Sequence, residues 1–361
     1  MRLVADAGLW STGHQAAQPQ LVAVLEVSGA VLSWTVDDPT HAAQITFTDL
    51  DRADWLWRVL GEPGHVALAA AVNGRPPGAD VEIAGVDLRP ESLEPLRRLA
   101  LGHWLRRWWP VSGRDGIAAL DGALLDAEIA MLTAAAEDYF TDDTFDSDVA
   151  ALLRPHTAAL SAHLHAGDPR VIELVTGCVD LADDVGVALT ESPGLTQRRD
   201  DFALAAGADG RSRGAGAVAA GTDSVKWSAV PPGVFDSAED TVEWRVDVTD
   251  GTAKAVVRVA LSGSGLSAGI PVLLQSEGFA GSGVLDADGV TAFLLLDAEH
   301  QPVTQSAAWD HDWRSTAVTV GADTDESPQT RERIREFARS RLRTPAGDAF
   351  LAEVLAAESD Y

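Results

Sequence analysis

Asp121 and Glu128 stand seven residues apart in one helical stretch, and His156 and His163 share that spacing in the next, so each pair projects to one side of its helix. Two carboxylates facing one way inside an apolar stripe would have raised pKa values and exchange protons near neutrality. With the two histidines they would form a two-His, two-carboxylate set for a metal ion, the core of a hydrolase site in a helical bundle. The competing reading is structural. Di-metal bundles place a Glu-x-x-His motif on each of two helices, a pattern these helices lack. Arg97 and Arg107, which intrude into the apolar half of the preceding helix, are expected to reach the two acids across an antiparallel hairpin as ion pairs. The structural reading is favoured, and no metal ligand, catalytic residue or cofactor is assigned.

Two further stretches are candidates for binding. Read as a strand, Trp309-Asp310-His311-Asp312-Trp313 puts Trp309, His311 and Trp313 on one face and both acids on the other. That makes an aromatic surface suited to a partner or a carbohydrate-like ligand, or else two tryptophans closing the end of a small core. The stretch Ser327–Thr344 carries six arginines against Glu332 and Glu336, the one basic segment of the chain. It is expected to dock on the protein's own acidic surface or on a protein partner, with Arg335 and Arg339 in the contact. Nucleic acid ranks last, because the chain's net charge of −28 repels a polyanion.

Other motifs carry less. The acidic run Glu137–Asp148, with Asp142, Asp143, Asp146 and Asp148, lacks the residue order of a calcium loop and reads as a solvated connection. Gly214–Ala219 mimics a dinucleotide fingerprint without the strand and helix that would make it one. Walker and H-E-x-x-H signatures are missing, and no serine nucleophile is assigned.

The elements that must position these residues follow from periodicity and breakers. The segment Glu91–Pro110 reads as a helix with Leu93, Leu96, Ala100, Leu101, Trp104, Leu105 and Trp108 on its buried half and Arg98, Gly102 and Arg106 opposite. A second helix is expected from Asp115 to about Phe140, a third after Asp146 broken near Pro155, and a fourth at Asp168-Pro169. Short connections make these a bundle, residues 89–200. Before it, Leu21–Val27 and Ala30–Val36 form a hairpin through Ser28-Gly29. Gln44–Thr48, a short helix ended by Gly61 and Pro63, the loop Asn73–Gly78 and Asp80–Ala84 complete a small α+β unit, 1–88. The Gly/Ala-rich stretch 201–235 reads as a linker.

Alternating short runs from Thr241 to Val320 then predict a β-sandwich, 236–322, followed by basic and amphipathic helices, 323–361. The run Gly269–Leu274, then Gly281-Ser282-Gly283 and Asp286-Ala287-Asp288-Gly289 before Val290–Phe293, resembles the transthyretin-like and carboxypeptidase-regulatory sandwich families. The resemblance spans about a quarter of the chain and implies an accessory sandwich fold with no site residues.

At 361 residues, 46% hydrophobic and 23% charged, the chain has the usage of a globular protein with two or three cores. No apolar run reaches the ~18 residues of a membrane span. Cys178 is the sole cysteine, which excludes an intrachain disulfide and a thiolate metal site. With no signal-peptide layout at the amino terminus, a cytoplasmic location is expected. The composition, rich in Ala, Gly and Arg with only Lys226 and Lys254 as lysines, resembles multidomain proteins of GC-rich actinobacteria. The expectation is an α+β multidomain protein acting as a non-catalytic adaptor or regulatory component that binds other proteins. The alternatives are a metal-dependent or acid/base hydrolase in the bundle and a small-molecule-sensing module built on the sandwich.

Overall fold

The computed structural model describes residues 1–13, 18–38, 42–72, 77–137, 139–140, 146–165, 167–189, 217–263 and 265–359. The core of the expected linker (201–216), most of the loop at 73–76 and the acidic positions 141–145 lie outside the described residues.

In chain order the elements are β1 (Arg2–Asp6), β2 (Leu9–Ser11), β3 (Val22–Val27), β4 (Ala30–Thr35), β5 (Gln44–Phe47), α1 (Leu56–Val72) and β6 (Val81–Glu82). The helices α2 (Glu94–Trp108), α3 (Gly122–Glu137), α4 (Asp146–Leu153), α5 (Thr157–His163) and α6 (Pro169–Asp184) follow. Then come β7 (Ala217–Asp223), β8 (Val242–Thr249), β9 (Thr252–Val259), β10 (Pro271–Ser276), β11 (Phe279–Val284) and β12 (Val290–Leu294). The chain closes with α7 (Gln305–Asp310), β13 (Ala317–Val320), α8 (Pro328–Arg343) and α9 (Leu351–Ser359). The fold is α+β, with strands first, helices in the middle, a second set of strands and terminal helices.

Two compact units account for these elements. Unit 1 comprises Met1–Trp109, Ala119–Ser192 and Gln329–Tyr361; unit 2 comprises Pro110–Ala118 and Pro193–Pro328. The amino-terminal strands, the bundle and the terminal helices, read from sequence as separate stretches, thus share unit 1.

Unit 1 is built on an antiparallel six-stranded sheet in the order β3-β4-β5-β2-β1-β6. The β3–β4 hairpin forms as its sequence predicts, with Val27 opposite Ala30. Gly29 turns it at φ 72°, and a Cβ there would lie 2.1 Å from the Asp49 carbonyl, so only glycine fits. The expected end of α1 at Gly61 is instead a kink: Gly61 takes φ 73°, and Pro63, within a turn of the break, has no intrahelical partner to lose.

Helix α2 departs from its sequence reading in a way that organises the unit. Its expected outer row, Arg98, Gly102 and Arg106, faces α3. Arg98 pairs with Glu128. Arg106 Nε lies 3.0 Å from Asp126 Oδ1. A Cβ on Gly102 would come within 2.7 Å of Ile129 and 2.8 Å of Phe350. Leu96, Leu99, Leu101, Trp104 and Leu105 are buried as well. A helix covered on two sides has no single apolar half, and here a glycine lets the second side approach closely.

Helix α3 starts later than predicted. Asp121 caps it, its Oδ1 accepting from the N–H groups of Ala123 (2.9 Å) and Leu124 (3.1 Å). Asp115 lies outside the helix, in a tight turn that closes with Ser112 opposite Ile117. That turn belongs to unit 2, where the buried Asp236 carboxylate accepts from Ser112 Oγ (2.7 Å), Gly113 N (3.0 Å) and Ala238 N (2.9 Å).

Unit 2 is a sandwich of a four-stranded sheet, β12-β9-β8-β7, and a three-stranded sheet, β11-β10-β13, all antiparallel. Its core is a single apolar cluster drawing Val242, Trp244, Val246, Val257 and Val259 from one sheet and Val272, Leu274, Val318 and Val320 from the other. The latter part of the expected linker is structured: β7 begins at Ala217, and Val225, Val230, Val234 and Phe235 enter this core. On the outer side of β13 the Val318 N–H is taken by Asp223 Oδ2 at 2.9 Å, a carboxylate in place of a further strand.

Candidate functional site

The four bundle residues of the sequence reading do not converge. Asp121, besides capping α3, holds His163 Nε2 at 2.9 Å. Glu128 turns to Arg98 and accepts the Leu351 N–H at 2.8 Å, so it caps α9. Burial raises the Glu128 carboxyl above its ordinary value, against the lowering effects of that N–H and of Arg98. His156 binds neither of these acids. Its Nε2 is 3.0 Å from Oδ2 of Asp126, a side chain the sequence reading passed over although only 3% of the residue is exposed. Of the ion pairs expected from Arg97 and Arg107, the one to Glu128 is made by Arg98 instead, and Asp121 pairs with His163 rather than an arginine; Arg106 goes to Asp126, Arg97 reaches Asp348, and Arg107 lies over the Trp108 ring. Next to this cluster His103 is shifted down in pKa by burial first and by the Arg106 charge second. Among the described residues no group of three or more His, Cys, Asp or Glu side chains is placed to hold a metal ion. What the bundle assembles is a set of separate pairs, with Asp126 Oδ1 and Arg98 Nε left buried without a hydrogen bond among the described residues.

The aromatic strand is also corrected. Residues 305–310 are helix α7, capped by Thr304, and 313–315 form a short 3-10 turn, so Trp309, His311 and Trp313 are not one face of a strand. Trp309 is 56% exposed. His311 is held by Ser276 Oγ at 2.8 Å, and its ring centroid lies 4.5 Å from those of Phe279 and Trp313. One spacing escaped the sequence reading altogether: Gly265-Leu266-Ser267-Ala268-Gly269 matches the G-x-S-x-G of a nucleophile elbow. Its context is wrong. Strand β10 follows where an elbow needs a helix, and Ser267 is buried, its Oγ lying within hydrogen-bonding distance of the carbonyls of Asp286 (2.7 Å) and Ala287 (3.2 Å).

The basic helix α8 docks on unit 1. Arg335 is buried and pairs with Glu332 of its own helix at 2.7 Å, which removes it from any partner surface; Arg339 meets the other Glu332 oxygen at 3.3 Å. Phe337 packs edge-on against Trp104 with centroids 5.4 Å apart. Arg341 donates through Nη2 to Glu353 Oε2 at 2.7 Å and through Nη1 to Asp348 Oδ1 at 3.0 Å. Glu353, with no exposed surface, also accepts the Phe350 N–H at 2.9 Å and so fixes the start of α9.

This docking leaves a cavity of about 400 Å³ inside unit 1, bounded by β3, β4, α2, α8 and the turn 344–348. Trp34, Leu101 and Phe337 form its apolar wall, and Asp37, Arg97, Arg341 and Asp348 supply its charges. Asp37 Oδ2 is engaged by Arg333 at 2.7 Å. Arg97 Nη1 donates to Asp348 Oδ2 at 3.4 Å. The size falls in the range of small-ligand sites, roughly 300–1,000 Å³, and apolar walls with a few fixed polar groups are the usual lining of such sites. From sequence, Arg97 stood out as an arginine in an apolar stripe. Its meeting with Asp348, 251 residues on, had no local signal. The chain matches no protein-family model, no curated protein and no solved structure with which it was compared.

Proposed function

We propose that the protein is a non-catalytic regulatory component that binds a small molecule in the cavity of unit 1. The observation that carries this reading is the cavity itself, a ligand-sized space with an aromatic wall and charged groups at fixed positions. The state of those groups supports binding over chemistry. Asp37, Asp348 and Arg341 are each tied into ion pairs, which hold them in fixed positions as binding groups rather than leaving them free to act on a substrate.

The adaptor reading, in which the chain binds another protein, draws on a different observation. The outer face of the three-stranded sheet presents Pro271, Leu273, Gln275, Ala280, Ser282, Val284, Ala317 and Thr319, with no charged residue among them. Strand spacing and rise give that face roughly 300 Å², against the ~800 Å² each partner buries in a stable interface. It therefore ranks second.

The test is a small-molecule fragment screen on the full chain by ligand-observed NMR, repeated on Ala346→Trp, which places an indole at the cavity turn. Hits that bind the parent chain and are lost in the folded variant are the expected result. A screen with no hit sensitive to this substitution would overturn the reading.

A further inference from the structure

The geometry points to a specific class of ligand for this cavity: an aromatic α-amino acid, or a molecule with the same zwitterionic head on an aromatic body. This rests on the ligand-binding reading above. The first argument is charge balance. The lining carries two acids and two arginines, so its formal charges cancel. A ligand with one net charge would introduce a charge without its counterpart, whereas a zwitterion brings one of each sign.

The second argument is donor capacity. Arg341 directs Nε and Nη2 at Glu353 and Nη1 at Asp348, and is largely committed. Arg97 has five N–H donors, yet among the described residues it makes one hydrogen bond, at 3.4 Å to Asp348, and a 3.8 Å contact with Glu94. Its side chain is 21% exposed, so a planar carboxylate can reach its unused fork.

The third argument is proximity. Each Asp348 oxygen takes one arginine donor, while a carboxylate has roughly four acceptor positions, leaving room for an ammonium group. Because Asp348 and Arg97 are neighbours, the ammonium and carboxylate they would bind must also be neighbours, as they are on one α-carbon. The side chain of such a ligand then meets the wall of Trp34, Leu101 and Phe337.

Isothermal titration calorimetry of the full chain with L-phenylalanine, 3-phenylpropionate and phenethylamine tests this. L-Phenylalanine is expected to bind about tenfold or more tightly than either half-molecule, since it alone makes both charge-assisted contacts. Arg97→Gln should weaken L-phenylalanine and 3-phenylpropionate and leave phenethylamine unchanged; Asp348→Asn should weaken L-phenylalanine and phenethylamine. Arg97→Lys, which keeps the charge and loses the fork, guards against a misfolded Gln variant and should also weaken L-phenylalanine. If fragments bind in a way that Ala346→Trp abolishes while L-phenylalanine does not bind, the ligand class is wrong and the cavity reading stands. Absence of any cavity-dependent binding removes both, and L-phenylalanine binding unaffected by all the Arg97 and Ala346 variants overturns the assignment.

Discussion

The two units bury different things. Unit 2 closes over a continuous apolar cluster rich in valine, and its buried carboxylates sit at connections: Asp236 gathers the turn at 112–114, and Glu326 takes the N–H groups of Trp227 (3.0 Å) and Ser228 (2.9 Å). Unit 1 carries charge inward: Arg341–Glu353 is buried between α8 and α9, and Arg98–Glu128 is half-buried between α2 and α3. An apolar core tolerates small losses locally. A buried pair fails as a unit, because removing one member strands the other in a place where water cannot solvate it.

Glu353→Ala should therefore have the largest effect, destabilising unit 1 by about 3–5 kcal/mol by leaving Arg341 buried without its main partner; denaturant unfolding followed by probes in each unit would show the loss in unit 1. Equal loss in both units would erase the contrast. In the apolar unit, Leu274→Ala should cost about 2–5 kcal/mol, the transfer and cavity cost of a fully buried leucine, read in the same experiment from probes in unit 2.

Gly102→Ala sharpens the contrast at the α2–α3 seam. The added methyl collides with Ile129 and Phe350, and overpacking should cost about 1–3 kcal/mol despite alanine's better helix propensity. The smallest effect is expected at the surface. Asp168 caps α6 and pairs with Arg170, and the Arg170 side chain and N–H hold its carboxyl down to about 2. A depressed folded pKa gives stability that is present above the unfolded value near 4 and lost as pH falls through about 2. The stability difference between Asp168→Ala and the parent should thus be full at neutral pH and shrink between about pH 4 and 2. A difference that stays constant across that range would show that the ionised carboxylate is not the stabilising species.

What could be read in advance was local. The alternation in β8, β9, β10 and β13, the two-residue turn at Ser28-Gly29 and the Asp168-Pro169 start of α6 all declare themselves within a few residues, because strand period, turn chemistry and helix capping are properties of adjacent positions. The misreadings have a common cause. On α2, periodicity identified an apolar side but could not reveal that the row Arg98-Gly102-Arg106 also meets a helix. On α3, choosing Asp121 and Glu128 by spacing missed Asp126, whose partners Arg106 and His156 lie on two other segments.

The sequence by itself determined the α+β class, the type of most helices and strands and the excess of negative charge. Tertiary structure alone decided where that charge is neutralised. It folds an arginine-rich helix from the end of the chain onto the first sheet and α2, pairs Arg341 with Glu353, brings Arg97 to Asp348 across 251 residues, and leaves the cavity between them. The physical reason is range: propensity and periodicity act over single turns, whereas an ion pair or a cavity depends on which distant surfaces meet when the apolar area is buried.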